Sequence, residues 1–433
     1  MSTSFQNIKG TFDILPDAYT DDGGTRIAPS VEWRHVERTV RDVMRRYNLD
    51  EIRTPVLEPT ALVARGVGQD TDIVQKEMFA FERGGTDYVL RPEVTAPVVR
   101  SFLQHHLDQR GGVQKLFYIG PCFRAEQPQK GRYRQFHQFG IEILGTDDAR
   151  ADAETIAIML AVYEALGVTD TELRLNTLGT PDRRDAYVEA LRDYLAPYAD
   201  DLSDTSRRRL ERNPLRVLDT KLDHEQAILR DAPQLIDYVN EESRAHYDRV
   251  KGLLADLDVE YEEDPHLVRG LDYYTETTFE LESPDLGAQS ALAGGGRYDR
   301  LAEVLGSDEP VPAVGFAAGM ERLFLALDAA EADRPAPPQP DVFIAALGEE
   351  AEAWVFRTTQ TLREAGLQVA LDLKGRSLKA QMREANRQNA PYALIIGDNE
   401  LAAEEATVKE MESGEQFDVP FADLADVLVD RLR

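Results

Sequence analysis

Gln138, Gly140 and Glu142 stand two apart in QFHQFGIEIL. A strand would put all three on one face, and Phe139, Ile141 and Ile143 on the other. An amide and a carboxylate flanking a glycine make a polar floor with room above the backbone. The preceding alternating run, 113–124, ends at Arg124, with Glu126 two residues on. A guanidinium offers a planar fork of donors suited to a carboxylate or a phosphate. The loop AEQPQKGRYR adds Lys130, Arg132 and Arg134. In RPEVT an extended backbone would aim Glu93 and Thr95 the same way, a carboxylate beside a hydroxyl that suits an ammonium. HLVRGLDYY places Arg269 in a glycine-containing turn ahead of Asp272, Tyr273 and Tyr274. GGGRYD, 294–299, lacks the Lys and Ser/Thr of a P-loop. Its glycines instead let a flat ligand approach the backbone. GFAAGMERL, 315–323, packs a strand onto a helix with small residues and sets Arg322 near the helix start.

Each group alone also fits a bland role: cross-strand ion pairs, a solvated strand end, a buried aromatic pair, a surface arginine. The histidines (His105, His106 and His137 among them) show no metal-ligand spacing, and no H-E-x-x-H occurs. Cys122, in a predicted strand, reads as an inert buried thiol.

Periodicity supplies the elements that must hold these residues. Residues 31–48 carry Val31, Trp33, Val36, Val40, Val43 and Met44 at helical spacing. A strand broken by Pro55 follows at 51–57. Residues 113–124 and 135–144 read as a long antiparallel hairpin, 152–166 as a helix and 172–177 as a strand. The charge-rich stretch 181–256 is mostly helical, an inserted domain by its texture. Strand and turn character returns over 266–299, and 312–328 runs from strand into helix. EADRPAPPQP, 331–340, has four prolines and no large apolar residue, which marks a linker. Strands at 342–346, 367–371 and 392–396 then alternate with helices at 349–365 and 377–389, a βαβαβ pattern, before a hairpin and a helix at 421–432.

Taken in order, these segments resemble the histidyl-tRNA synthetase family of class II aminoacyl-tRNA synthetases. KGTFDILPD is similar to that family's N-terminal signature, and IRTPVLEPT to motif 1. FRAEQPQKGRYRQFHQFGIEILG resembles motif 2, LVRGLDYYT the histidine signature and GFAAGMERL motif 3. The likeness runs through most of residues 7–328, and PYALIIGDNE extends it to the part after the linker. Where many members carry glycine in the middle of RPEVTAP, this chain has Val94.

The resemblance implies an α+β fold: an antiparallel sheet flanked by helices, a helical insertion and a C-terminal α/β anticodon-binding domain. It implies a catalytic core over 1–175 and 257–330, an insertion over 176–256, a linker over 331–340 and an anticodon-binding domain over 341–433. The implied enzyme is a histidine–tRNA ligase. It would form histidyl-adenylate and pyrophosphate from L-histidine and ATP, then pass the acyl group to the 3'-terminal ribose of histidine tRNA. The histidine site would use Glu93, Thr95, Gln138, Glu142, Tyr273, Tyr274 and Tyr298. The ATP site would use Arg124, Glu126, Arg132, Arg269 and Arg322, with Arg124, Arg269 and Arg322 catalytic. Mg2+ would accompany ATP, with no protein-held metal and no bound zinc. A homodimer through the motif 1 region is implied. The alternative is a catalytically silent paralogue serving as a regulatory subunit of histidine biosynthesis. Here all three arginines and the terminal domain are retained, against that alternative.

Composition sets the limits. The 433 residues suit about three domains. One cysteine excludes an intrachain disulfide and a Cys-based zinc site. No apolar run approaches the roughly 18 residues of a membrane span. The opening MSTSFQNIKGTFDILPD has no signal-peptide core, so a cytoplasmic protein without membrane contact is expected. Asp plus Glu number 79 against 49 Lys plus Arg, a formal charge of −30. Only nine of those cations are lysines. Such acidity argues against nucleic acid as a partner only as a background, because affinity follows local basic patches. Two exist: RRRLERNPLR (207–216), and 374–387, where Lys379, Arg383 and Arg387 are spaced four apart. The resemblance implies that tRNA is gripped there. The acidity itself points to adaptation to high salt, where counter-ions screen self-repulsion. Dialysis to low salt should then cost folded signal by circular dichroism; indifference to salt would remove this reading.

Overall fold

The structure is a computed structural model that describes residues 5–69, 71–268 and 270–432, with the side chains of 288 and 289 not described. It divides into two compact units, Met1–Pro335 and Ala336–Arg433, whose boundary falls within the proline-rich stretch.

The first unit is built on an eight-stranded sheet. From edge to edge its strands are Glu262–Glu263, Glu172–Thr177, Thr275–Glu282, Ala291–Arg297, Ala313–Gly319, Gln135–Leu144, Gln114–Phe123 and Asp50–Glu51. The two short edge strands pair in parallel and the rest are antiparallel. Alternation decides what each face does. Phe139, Ile141, Ile143, Val314, Phe316, Phe279 and Leu281 turn to one side. There they share a core with Val36, Val40 and Val43 of helix Ser30–Arg46 and Ile156, Met159 and Val162 of helix Ala149–Ala165.

The other face is nearly stripped of side chains. Tyr118, Gly140, Ala317, Gly294 and Glu280 lie in one cross-strand row, so the three central strands contribute only glycine and alanine there. The next row runs Glu142, Gly315, Gly296, Thr278. Two of these glycines have no room for more. A Cβ on Gly140 would overlap the Phe316 carbonyl and the Tyr118 hydroxyl, and one on Gly315 would overlap the Ile141 carbonyl and the Glu142 carboxylate.

The strand expected at 51–57 is instead two short pieces, Asp50–Glu51 and Leu57–Pro59, because the prolines remove ladder donors. Arg91 fills the break: its Nη1 donates to the Thr54 carbonyl at 2.9 Å and its Nε to the Pro121 carbonyl at 2.9 Å. Leu57–Pro59 joins a hairpin, Phe79–Arg83 and Thr86–Leu90, that periodicity did not bring out. Gly84 and Gly85, at φ +64 and +75, turn it.

Helices Pro181–Leu195, Asp204–Arg212 and Asp223–Leu229 carry Tyr187, Leu191, Leu195, Leu210 and Leu229 into a second core. That core also holds Val98 and Phe102 of helix Thr95–Gln104, together with Tyr273, Tyr274 and Tyr298. Helix Glu241–Asp256 sends Tyr247, Val250 and Leu254 into the core of the main sheet instead.

The second unit has a five-stranded sheet in the order Val369–Leu371, Val342–Ala346, Tyr392–Ile396, Glu405–Glu410, Gln416–Pro420. The first three strands are parallel and the last two antiparallel. Helices Glu349–Glu364, Leu378–Arg387 and Leu424–Leu432 match the expected alternation, and the short helix Asp398–Ala403 is additional.

Overpacking a closed site typically costs about 1–3 kcal/mol. Gly315→Ala should therefore lower the unfolding free energy by that amount, read as a fall in the urea midpoint. Gly319→Ala, where a Cβ meets nothing within 4 Å, should change stability by less than about 0.5 kcal/mol. Equal midpoints for the two variants would show that the floor tolerates side chains.

Candidate active site

The bare sheet face floors a cleft of about 710 Å³ lined by Glu93, Thr95, Arg124, Glu126, Arg132, Gln138, Tyr273, Tyr274 and Arg322. Residues from positions 93 to 322 are thus brought together. Glu142 and Tyr298 do not line the cleft. Each is 1% exposed, and the Tyr298 hydroxyl donates to Glu142 Oε2. Arg269 lies outside the described residues; Val268 and Gly270 line the cleft.

One end is acidic and phenolic. Glu93 is buried ahead of helix Thr95–Gln104, and its carboxylate accepts the N–H groups of Thr95 at 2.7 Å and Ala96 at 3.0 Å. These are first-turn amides that no helical carbonyl can reach. The extended run expected from Glu93 to Thr95 therefore stops short, because Thr95 opens the helix. Burial pushes the Glu93 carboxyl upward, opposed by those amides and by the Arg124 charge. Burial also pushes Glu142 up to about 8, with the Tyr298 hydrogen bond opposing and the Glu93 charge adding. Glu142 Oε1 and the Tyr118 hydroxyl, both buried, make no hydrogen bond among the described residues.

Tyr118 sits opposite Gly140, where its hydroxyl occupies the space a Cβ would need. Sequence reading missed it; the pairing register of the hairpin was the signal that could have found it. Gln138 Oε1 accepts from Cys122 Sγ at 3.3 Å. Burial raises that thiol to about 12, which keeps it protonated and inert. The Tyr273 ring packs tilted against Tyr274, centroids 4.7 Å apart, and edge-on to Tyr298 at 5.6 Å, forming the aromatic wall.

The other end is cationic. Arg124 Nε donates to the Pro92 carbonyl at 3.0 Å, and its guanidinium lies 5.2 Å above the Phe136 ring. Its approach to Glu126 is loose, at 3.8 Å, while Arg132 bonds Glu126 at 3.1 Å. Arg322 Nη1 donates to the Ala291 carbonyl at 2.7 Å. Burial lowers its pKa, and the like charges of Arg132 and Arg124 lower it further against Glu126 and Glu280. Arg322 thus feels the like charges of two other cleft guanidinium groups, an arrangement that a polyanion relieves.

Other residues prove to be supports. His137 faces Glu321, with Nδ1 3.0 Å from Oε1, and its own N–H is held by the same carboxylate. Arg297 of GGGRYD is 1% exposed and points away from the cleft. It grips Asp152 with Nη2–Oδ2 at 2.7 Å, and His246 approaches the same carboxylate at 3.4 Å.

In the two basic stretches Arg207 pairs with Asp204 and Arg376 with Asp372 and Glu384. Arg387 bonds Glu384. Lys374, Lys379 and Arg383 are exposed, as are Arg208 and Arg212.

A family model described as histidyl-tRNA synthetase matches residues 28–323, and one described as anticodon binding domain matches 341–431. The chain is 48% identical over 423 residues to the histidine–tRNA ligase of Chloroherpeton thalassium, covering 97% of this chain and 96% of that protein. It is 45% identical over 434 residues to the histidine–tRNA ligase of Geobacillus thermodenitrificans, covering 99% of each. The crystal structure of apo S. aureus histidyl-tRNA synthetase superposes with a TM-score of 0.80 at 35% identity, covering 98% of this chain and 100% of that one.

Glu142 yields a prediction about pH. Folded Glu142 keeps its proton up to about 8, whereas an unfolded glutamate loses it near about 4.3. Between those values the native chain binds more protons, so stability falls as pH rises across the window. Glu142→Gln is permanently neutral and should flatten this slope. Melting temperatures of both proteins at about pH 5.5 and about pH 8 check it; an unchanged slope would mean that Glu142 ionises normally.

Proposed function

The chain belongs to the histidyl-tRNA synthetase family, and on that premise we propose how its cleft divides the work of joining L-histidine to tRNA. The observation that carries the reading is the gathering of Arg124, Arg132 and Arg322 in one cleft with Glu93, Gln138 and the tyrosine wall. The triphosphate of ATP lies against the guanidinium groups. L-Histidine lies at the opposite end, its ammonium facing Glu93, Thr95 and Gln138. Its imidazole meets Tyr273, Tyr274 and the Glu142–Tyr298 pair, which must open or be reached from the floor. A site with buried polar groups rejects amino acids that leave them unpaired.

The histidine carboxylate attacks the α-phosphorus and pyrophosphate leaves. Charge builds on the phosphate oxygens during that step, and fixed cations stabilise it. By family resemblance Arg269 faces the α-phosphate opposite Arg124, and Arg322 stands near the γ-phosphate. Glu126 and Glu280 are among the carboxylates lining the cleft where Mg2+ would arrive with ATP, and most of its ligands would be phosphate oxygens and water. The second step transfers histidine to the 3'-terminal ribose of tRNA, whose anticodon end meets the 341–431 domain. Lys374, Lys379 and Arg383 are its exposed cations. Among the described residues no helix is long and apolar enough to cross a membrane. A homodimer through the motif 1 region completes the proposal. The presence of Arg124 and Arg322 in one cleft favours the enzyme over a silent regulatory paralogue.

Exchange of labelled pyrophosphate into ATP should depend on histidine and proceed without tRNA. Arg322→Ala should slow it by about 10²–10³, the usual loss for one such donor. No histidine-dependent exchange in the unmodified chain would overturn the reading, and a monomer by sedimentation would remove the dimer.

A further inference from the structure

We propose that Arg184, in the first turn of helix Pro181–Leu195, is a positioning residue for amino-acid recognition that holds the Tyr273–Tyr274 wall in place from behind. The inference rests on the assignment of that wall to the histidine site. Arg184 Nη2 donates to the Tyr274 carbonyl at 2.7 Å, with longer contacts to the Gly179 and Leu178 carbonyls at 3.4 Å. Among the described residues no carboxylate lies within ion-pair distance of it. A partly buried arginine held only by main-chain carbonyls is unusual, because a charge taken out of water is normally matched by a counter-charge. Burial accordingly lowers its pKa, with Asp272, Glu276 and Asp185 opposing from a distance.

The local backbone explains the need for such an anchor. Tyr274 stands at the entry to strand Thr275–Glu282, where the ladder is irregular between Thr275 and Thr278. Glu276 adopts φ +48, a conformation that a non-glycine residue takes only when its surroundings enforce it. The enforcement is visible. Glu276 exchanges backbone hydrogen bonds with Leu178 at 2.7 Å and Gly179 at 3.1 Å, and Ser243 Oγ donates to its carboxylate at 2.7 Å. Arg184 closes the same loop onto Tyr274. The insertion helix thereby sets where the two phenol rings stand. On the far side of the wall is a second cavity of about 390 Å³ lined by Arg184, Asp272, Tyr273 and Tyr274. It leaves the guanidinium position accessible to a small ion.

The test measures pyrophosphate exchange by the full chain, with KM for histidine, KM for ATP and kcat determined separately. Arg184→Ala should raise KM for histidine about 10–100-fold, the usual weight of a hydrogen bond from a charged donor. KM for ATP should move less than about twofold, since the phosphate-binding arginines are untouched. Guanidinium ion at sub-denaturing concentration should restore part of the loss by entering the vacated cavity, and Arg184→Lys, which keeps one charged donor, should fall between. An unchanged histidine KM would overturn the inference. So would a parallel rise of both KM values with a fall in kcat and no rescue, which would make Arg184 a stability residue only. Failure of the unmodified chain to exchange with histidine would overturn the assigned activity first, and is distinguished by needing no variant.

Discussion

Arg124, Arg322 and Glu93 share this cleft without collapsing onto one another, because each is tethered by a neutral dipole, in contrast to the direct Arg132–Glu126 pair. Arg124 is held by the Pro92 carbonyl and the face of Phe136, and Arg322 by the Ala291 carbonyl. Glu93 is held by two helix amides, and Glu142 by a phenol. A direct Arg–Glu bridge would orient these groups equally well but would spend their charge on each other. Dipolar tethers fix position and leave the charge to be matched by the ligand, which is the preorganisation that electrostatic catalysis requires. The like charges around Arg322 are the cost, and a bound triphosphate would relieve them.

The floor imposes the second condition. Gly140, Ala317 and Gly294 run across three adjacent strands, and removing their side chains from one face leaves stability to the other. The hydrophobic residues that alternate with them pack against helices Ser30–Arg46 and Ala149–Ala165. The sheet can afford an open face because its far side is fully covered. The Arg297–Asp152 pair pins the end of the glycine strand to that helical layer, and His246 adds the helix Glu241–Asp256.

What the sequence disclosed, and what it withheld, divides by range. The hairpin 114–144 was legible because period-2 alternation is local, and alternation alone put Gln138 and Glu142 on the open face. The order of strand and helix after the linker was legible for the same reason. Tyr118 was not, since its place beside Glu142 depends on a register joining two strands across a loop. GGGRYD was read only for its glycines, and nothing local showed that Arg297 is bound to a carboxylate 145 residues away. Arg184 was invisible because its partners are carbonyls, which every residue possesses. Asp398–Ala403 spans six residues, too few to show helical periodicity. The hairpin around the double glycine at 84–85 went unread because its strands are too exposed to alternate clearly.

Gly140 and Gly315 are closed positions as well as bare ones. The Tyr118 hydroxyl and the Glu142 carboxylate already stand where their side chains would be, and neither glycine lines the cleft. At both, any added carbon also strikes a carbonyl of the neighbouring strand. Reshaping this cleft by substitution would therefore have to start from its walls, because these two floor positions accept no larger residue.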